Sequence, residues 1–237
     1  MTIAGVRSLP QMQSQHAGSA GTVRDRRRRV RLIVATLAVL ALATCWIWRL
    51  PMLRGLGHAL VVSDSIGQAD VVVIGVSSDG AGVLEAVDLV HAGMARRVAV
   101  FEDPPDAVDR EFLRRGVPYE DAAARSIRQL ASLGVTQVVR ISAAVGGTEE
   151  QGARLPRWCE ENGVQSLIVV TTADHSRRLR RVLHRAMDLH RMQVAVRPAA
   201  HSPFQVEQWW QSREGIRIAV IEWEKLLLDV IRHPFAG

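Results

Sequence analysis

An unbroken apolar run, Leu167–Val170, constrains the fold of this chain more than any other stretch of its sequence. A strand that is apolar on both faces is typical of a parallel sheet covered by helices. The run ends in the polar turn Thr171–Ser176, and an arginine-rich helical pattern begins at once. In open α/β sheets, ligands bind beyond the carboxyl ends of the strands, so this turn is the first candidate for a functional site.

Strands and helices alternate along the chain on either side of this run. Short apolar segments bounded by polar turns predict strands, and apolar residues at helical spacing predict helices. The other predicted strands are 70–75, 97–101, 137–141 and 193–196, and the predicted helices are 80–93, 107–115, 121–133, 148–162, one after the Thr171–Ser176 turn to about 190, and 211–232. This alternation predicts an α/β fold, a three-layer Rossmann-like domain with a parallel sheet. Asp121 is expected to cap one helix, and a capping box, Thr148-Glu149-Glu150-Gln151, is expected to open another.

The amino-terminal part of the chain predicts a membrane anchor. An arginine cluster at 24–31 precedes Leu32–Trp48, which is 17 residues without a charge. At about 1.5 Å per residue this run spans roughly 25 Å, near the lower limit for one transmembrane helix. Because clustered arginines stay on the cytoplasmic side, the amino terminus is expected in the cytoplasm and the domain outside the cell membrane. Pro51 is expected to end the helix.

Two alternatives to an uncleaved anchor use the same residues. Ala41-Leu42-Ala43 resembles a signal-peptidase site, and Leu42–Cys45 approximates a lipoprotein signal. All three interpretations place the domain outside the cytoplasm. The predicted organisation is a disordered basic cytoplasmic tail at 1–29, an anchor at 30–50, a connector at 51–65 and the Rossmann-like domain at 66–233.

The positive charge of the chain belongs to its amino-terminal tail. Eight of the 30 Lys and Arg residues and one of the 24 Asp and Glu residues precede Leu50, which leaves 22 basic and 23 acidic residues for the remainder. A nucleic-acid-binding domain needs a basic patch on its folded part, so no nucleic-acid partner is expected. The two cysteines, Cys45 and Cys159, predict neither a structural disulfide nor a zinc site.

Polar residues follow four of the predicted strands, and the carboxyl ends of parallel strands meet at one edge of the sheet. The candidate ligand-binding residues are Ser77, Ser78, Asp79, Glu102, Thr148, Thr172, Asp174 and Arg178, and the candidate catalytic residues are His175 and Glu149. Hydroxyls, helix amides and an arginine at such an edge favour an anionic ligand. A histidine beside carboxylates suits general acid–base catalysis.

Other interpretations of these residues remain open. Ser77–Asp79 is equally consistent with a tight turn capped by Asp79, and the Asp174-His175 pair with a polar helix cap. Glu102 and Asp103 carry the chemistry for a divalent cation, but without a ligand-spacing motif no metal site is predicted. The three-glycine dinucleotide fingerprint and the Gly-x-Ser-x-Gly elbow are absent from the sequence, so no cofactor is identified and neither Ser77 nor Ser126 is expected to be a nucleophile.

Two helices are expected to be structural. The arginines that follow His175 predict mostly a solvated helix face, apart from Arg178 beside the turn. The apolar positions of the last helix predict core, with membrane contact as a minor alternative. These positions are Ile218, Ile221, Trp223, Leu227 and Val230.

Several motifs together resemble the ElyC/SanA/YdcF family. They are Leu60–Asp64, Ala69–Gly75, Leu84–Ala86, Ala92-Gly93, Gly116–Pro118, Gly147–Glu150, Val170–Arg178, Trp209-Trp210, Arg213-Glu214 and Glu222–Lys225. The resemblance covers about residues 61–231 and is most specific in the threonine-histidine-arginine block. It departs from the family pattern at Val76–Ser78 and Glu102–Pro104, where the family has small residues. It implies a Rossmann-like domain, often behind one membrane anchor, linked to cell-envelope and peptidoglycan upkeep in bacteria.

These observations together predict a membrane-anchored, outward-facing domain that acts in bacterial cell-envelope maintenance. Its expected partner is an anionic small molecule or an envelope precursor, bound at the carboxyl ends of the strands, with His175 as acid or base if the domain is a hydrolase or transferase. The alternative is a non-catalytic envelope scaffold whose ligand site is degenerate. The sequence identifies no protein partner.

Overall fold

The computed structural model describes residues 19–142, 147–188 and 190–234. The chain divides into two compact units, Met1–Leu50 and Pro51–Gly237. The disorder predicted for residues 1–29 falls largely on residues outside these described ranges. The second unit holds the sheet and every candidate site residue.

Helix α1, Ser19–His58, contains the predicted anchor. Its segment Arg28–His58 contains an 18-residue window with a mean hydropathy of 2.2 and is long and apolar enough to cross a membrane. The prediction that Pro51 ends this helix is wrong, because α1 continues for two further turns. Proline is costly inside a helix, but the turn after it is held by the domain: Trp209 Nε1 donates a hydrogen bond to the carbonyl oxygen of Leu53 at 2.8 Å.

Five parallel strands form the sheet, which confirms the predicted fold class. They are β1 Val71–Ile74, β2 Val98–Phe101, β3 Val138–Ile141, β4 Ser166–Thr171 and β5 Gln193–Pro198. Their order in the sheet is β3-β2-β1-β4-β5, a Rossmann-like arrangement. In the register, Val73 of β1 stands opposite Ala99 of β2 and Val169 of β4. The apolar run Leu167–Val170 therefore lies in a central strand.

Helices cover both faces of the sheet. They are α2 Asp79–His91, α3 Ala107–Arg114, α4 Ala122–Ser132, α5 Thr148–Glu161, α6 Ser176–Asp188 and α7 Arg213–Arg232. One apolar core joins the sheet to α2 and α4, through side chains such as Val83 and Leu130. The other joins it to α5 and α6, through side chains such as Leu155 and Leu183. The result is the predicted three-layer domain.

The direction of the chain through the sheet reverses beside β1. From β1 the chain proceeds outward to β2 and β3, and it then returns to place β4 and β5 on the other side of β1. Such a topological switch point opens a crevice beyond the carboxyl ends of the two adjacent strands, and ligands of open α/β sheets bind there. The turns after β1 and β4 lie at this crevice.

The arginines of α6 are half-buried ion-pair partners, so the prediction of a solvated face is wrong. Arg181 and Arg185 both contact the Asp229 carboxylate of α7, at 2.6 Å and 2.8 Å. Arg180 pairs with Asp64 at 2.7 Å, and Arg177 donates to backbone carbonyls of the segment after α1. The α6 arginines therefore fasten neighbouring elements to this side of the sheet.

Helix α7 buries its acids and exposes much of its apolar surface. Its buried residues are Gly215, Ala219, Glu222, Leu226 and Asp229. Leu227 and Val230, predicted to be core, are exposed, whereas Ile218, Ile221 and Trp223 are half-buried. Because α6 presents arginines, the side of α7 that packs against it carries the carboxylates of Glu222 and Asp229. Much of the apolar surface of α7 therefore faces outward.

Candidate functional site

Two cavities lie at the carboxyl edge of the sheet. The first, of about 600 Å³, lies beyond β1 and β4 and is called the His175 cavity. The second, of about 730 Å³, lies beyond β1 and β2 and is called the Glu102 cavity. Asp79 and Gly147 border both. Both volumes are in the range of small-molecule sites.

Hydroxyl groups fix the turn between β4 and α6. The Ser176 hydroxyl donates to the carbonyl of Ala173 at 2.8 Å and accepts from the backbone amide of Val62 at 2.8 Å. The backbone amide of Ala173 donates to the Ser202 hydroxyl at 3.0 Å. All residues from Thr171 to Ser176 are buried. The turn is therefore held rigidly, and the side chains that it presents to the cavity have fixed positions.

His175 is buried behind Thr148 and touches protein groups at both ring nitrogens. Its Nε2 lies 3.2 Å from the Thr148 hydroxyl oxygen. Its Nδ1 lies 2.8 Å from Arg178 Nη2 and 3.2 Å from Glu222 Oε2. Only 3% of His175 is exposed, so a ligand in the cavity meets the imidazole chiefly through the Thr148 hydroxyl.

The two contacts at Nδ1 of His175 require different protonation, because Glu222 can only accept from a protonated Nδ1 and Arg178 can only donate to an unprotonated one. A guanidinium has five donors and cannot accept, so the 2.8 Å contact is a hydrogen bond only when Nδ1 carries no proton. The imidazole proton is then on Nε2 and is donated to Thr148. Arg178 Nη1 also donates to the Thr148 hydroxyl, at 2.9 Å. In this tautomer both lone pairs of the oxygen are in use, and the Thr148 hydroxyl proton is left for a further acceptor. When Nδ1 instead donates to Glu222, the Thr148 hydroxyl donates to Nε2.

Glu222 of α7 holds the network together. It receives hydrogen bonds from Arg178 Nε at 3.0 Å, from Arg178 Nη2 at 3.1 Å and from Lys225 Nζ at 3.1 Å. Burial acts to raise the pKa of Glu222, but the contacts with His175 and Arg178 outweigh it and hold this pKa well below its ordinary value of 4.5. Glu222 is therefore an ionised, fully engaged carboxylate.

Asp174 shows the opposite electrostatic behaviour at the same turn. Burial raises its pKa, and the Thr172 hydroxyl only partly offsets this effect. The cavity lining holds five carboxylates, of Asp79, Glu149, Asp174, Glu214 and Glu222, and three cations, of Arg178, Arg217 and Lys225. Each of the three cations pairs with Glu222 or Glu214. A ligand with several negative charges is therefore disfavoured, whereas a single anionic or acceptor group suits the donors.

The structure brings most of the sequence-predicted residues to the His175 cavity. They are Ser77, Asp79, Thr148, Glu149, Thr172, Asp174, His175 and Arg178. Glu102 borders the other cavity. Ser78 is buried and donates to the carbonyl of Gly75 at 2.6 Å, so its hydroxyl is committed to the turn. Glu149 is exposed, and its nearest ion-pair contact is Arg185 at 3.4 Å.

Two helix starts at the site differ from the sequence prediction. The capping box at Thr148 is wrong: α5 is preceded by Gly147, with φ of +72°, and the Thr148 side chain contacts His175 and Arg178. Asp79 does not cap α2, because the N-cap position is Ser78, whose side chain makes no capping hydrogen bond among the described residues. Thr148 does not cap α5 because its side chain contacts the tertiary partners His175 and Arg178. The predicted cap at Asp121 is confirmed.

The contribution of α7 to the site was not predicted from the sequence. Its polar residues at the cavity are Glu214, Arg217, Glu222 and Lys225. They are three to five positions apart, so they share one side of a helix. That spacing is visible in the sequence. The residues lie far from His175 along the chain, however, so no local pattern indicated that they would border the same cavity.

The Glu102 cavity has a different lining. Its walls are mainly apolar side chains and prolines, including Phe101, Pro104 and Pro105, with the exposed acids Glu102 and Asp103 at the strand end. Within the described ranges, no group of three or more His, Cys, Asp or Glu side chains is arranged to hold a metal ion. Ser126 borders this cavity and not the His175 network.

Comparison with known proteins found no relative of this chain. No family model, no curated protein and no solved structure matches the chain.

Proposed function

We propose that the His175 cavity binds the anionic group of a small molecule or envelope precursor, in a domain that acts in bacterial cell-envelope and peptidoglycan maintenance. The resemblance of the sequence to the ElyC/SanA/YdcF family supports the biological role. The convergence of the predicted residues on one cavity supports the ligand site.

The observation that carries the proposal is the arrangement around the Thr148 hydroxyl. In the tautomer in which His175 Nδ1 accepts from Arg178, two donors, Arg178 Nη1 and His175 Nε2, occupy the Thr148 oxygen, and its proton is available to an acceptor. An oxygen of a phosphodiester or carboxylate is such an acceptor, and it would also meet the amino-terminal end of α5, where the helix dipole favours negative charge. One negative charge suits the charge balance of the lining better than two.

The proposed location is the bacterial cell membrane, with the amino terminus in the cytoplasm and the domain outside. Support comes from the apolar segment of α1 and from the arginine cluster that precedes it. We expect alkaline phosphatase fused after Gly237 to be active, because that enzyme needs an oxidising compartment to form its disulfides. A green fluorescent protein fusion at the same position is the control, and fluorescence with no phosphatase activity would reverse the orientation.

A second candidate function is a non-catalytic, ligand-dependent scaffold. It is favoured by the engagement of both ring nitrogens of His175 with protein groups. In the catalytic version, His175 would exchange a proton with the ligand through Thr148. In the scaffold version, His175 only orients the Thr148 hydroxyl.

Native mass spectrometry of the full chain in detergent micelles tests the site. The panel contains orthophosphate, nucleotides, Mg²⁺ and a lipid-linked sugar precursor, and we expect one stoichiometric adduct. Thr148→Val keeps the shape of the side chain but removes the donor, so it should weaken this adduct tenfold or more, consistent with about 1.4 kcal/mol for one hydrogen bond to a charged group. Thr148→Ser is the matched control and should retain it. Equal binding by both variants would refute the assignment, and turnover of the bound compound by the wild type would decide for catalysis.

A further inference from the structure

The exposed side of α7 carries a continuous apolar stripe. Ile216, Val220, Leu227 and Ile231 fall within about 60° of one another on a helix of 3.6 residues per turn. Their exposed fractions run from 44% to 74%. Solvent-facing positions of a surface helix are ordinarily polar, and contiguous exposed apolar patches mark interaction sites.

The stripe is exposed because the opposite side of α7 is fixed. Glu222 is held by Arg178, and Asp229 is held by Arg181 and Arg185. Rotating the helix to bury the stripe would break these pairs and leave buried charges without partners, which costs several kcal/mol. The apolar stripe is therefore a permanent feature of the folded domain.

Charge at the ends of the stripe distinguishes between its possible partners. Arg213 and Arg232 begin and end α7, and neither has an acidic partner within 4 Å among the described residues. Glu224 is an acidic residue beside the stripe. A second copy packed antiparallel on this face would set Arg213 of one helix against Arg232 of the other, and like charges repel. Anionic lipid headgroups would instead neutralise both arginines.

The amino-acid sequence predicts that the domain lies close to a lipid surface. The charge-free run ends at Trp48, and the second compact unit begins at Pro51. If the apolar segment of α1 spans a membrane, only a few residues separate the end of the span from the domain. A surface helix of this domain then meets lipid at a very high effective concentration.

We propose that the apolar stripe of α7 lies in the interface of the lipid bilayer, with Arg213 and Arg232 at the headgroups. The helix would lie parallel to the membrane plane, as amphipathic interfacial helices do. Because the opposite side of α7 carries Glu222 and Lys225, this docking would place α7 between the His175 cavity and the bilayer. This docking does not depend on the identity of the ligand in that cavity.

Fluorescence quenching in liposomes tests the proposal. The full chain, with Cys45→Ser, is reconstituted into vesicles of phosphatidylethanolamine and phosphatidylglycerol in a 3:1 ratio. The probe NBD is attached to Val220→Cys or Leu227→Cys. Cys159 stays unlabelled, because it is buried and burial raises its pKa to about 11. We expect lipids with a doxyl group on the acyl chain to quench the probe by at least half.

Val108→Cys is the matched control. Val108 is 60% exposed and Val220 is 59% exposed, but Val108 lies on α3. Its probe should be quenched by less than a tenth. Equal quenching at positions 108 and 220 would overturn the proposal. Absence of quenching in Val220→Cys, together with disulfide-linked dimers of that variant through its introduced thiol, would overturn it in favour of a second copy as the partner.

Discussion

The two cavities share one edge of the sheet but are built differently. The His175 cavity is lined by polar side chains that hold one another in place, from the β4–α6 turn, α5 and α7. The Glu102 cavity is lined mainly by apolar side chains, and its wall includes α3, a fully described helix without a buried residue. The larger cavity is therefore lined by fewer polar side chains that hold one another in place.

The comparison indicates that cavity volume alone does not identify a binding site at this edge of the sheet. A binding site needs groups whose orientation is set before the ligand arrives. Thr148, His175 and Arg178 satisfy this condition through Glu222, because each has its position fixed by a hydrogen bond to another member of the network. The Glu102 cavity offers adjacent space that is lined mainly by apolar side chains.

The largest effect on the stability of the His175 network is expected from Glu222→Gln. The substitution keeps the size of the side chain but leaves Arg178 and Lys225 without their shared counter-charge. Breaking a buried pair on one side costs about 3 kcal/mol, so the free energy of unfolding should fall by that amount. The Thr148 donor should also lose its orientation. Chemical unfolding of the full chain in detergent measures the first effect, and native mass spectrometry of the adduct measures the second.

Glu214→Gln is the control for Glu222→Gln. Glu214 also borders the His175 cavity and pairs with an arginine, Arg217, at 2.6 Å, but both side chains are more than 60% exposed. Exposed pairs contribute little to stability, so its melting temperature should not change measurably. If the two variants were equally stable, Glu222 would not be the centre of the network.

The sequence predicted the sheet more fully than the site, for physical reasons. The central strands β1, β2 and β4 are predictable because each contains an apolar run of four residues, as in Val71–Ile74 and Leu167–Val170. The residues at the ends of these strands follow from the parallel topology, and for this reason Thr148 and His175 could be placed together at one edge of the sheet. Pairing across long chain separations leaves no local pattern. Arg178 and Glu222 are 44 residues apart, and only the packing of α7 on α6 brings them together.

The same limitation explains the errors on the helices. A run of arginines has the composition of a solvated face, and the apolar positions of α7 have the composition of a core. Both interpretations treat each helix alone. When α6 and α7 pack through Arg181 and Asp229, the charged sides face inward and the apolar side of α7 faces outward. Thr148 likewise fits a capping box in sequence, although its tertiary partners determine its rotamer.

A second, smaller effect is expected from pH. The folded-state pKa of Glu222 lies well below its ordinary value of 4.5, so its contribution to stability is complete above pH 4.5 and is lost as the pH falls toward the folded pKa. At 1.36 kcal/mol per pH unit, the wild type should lose about 2 kcal/mol between pH 4.5 and pH 3 from this group. Urea unfolding of the wild type and Glu222→Gln at pH 7, 4.5 and 3 measures this loss.

The difference between the two proteins in this pH series isolates Glu222. Burial raises the pKa of Asp174, so Asp174 stabilises the fold less as the pH rises from 3.8 through its folded pKa. Burial, the main cause of this opposing trend, is common to both proteins, and only the smaller contribution of the Glu222 charge to the Asp174 pKa is lost in Glu222→Gln. The stability gap should therefore narrow by about 2 kcal/mol from pH 4.5 to pH 3. A gap that stays constant would mean that Glu222 is not held ionised by its partners.

The smallest effect is expected in the Glu102 cavity. Glu102→Gln changes an exposed side chain at the end of β2, and Ser126→Ala removes a hydroxyl that borders the same cavity. Neither residue takes part in the hydrogen bonds around Thr148, so the free energy of unfolding should change by less than about 0.5 kcal/mol. Ligand affinity should change less than about twofold, since no donor is lost. If Glu102→Gln weakened the adduct as strongly as Thr148→Val, the charged group of the ligand would lie in the Glu102 cavity, and the roles of the two cavities would be reversed.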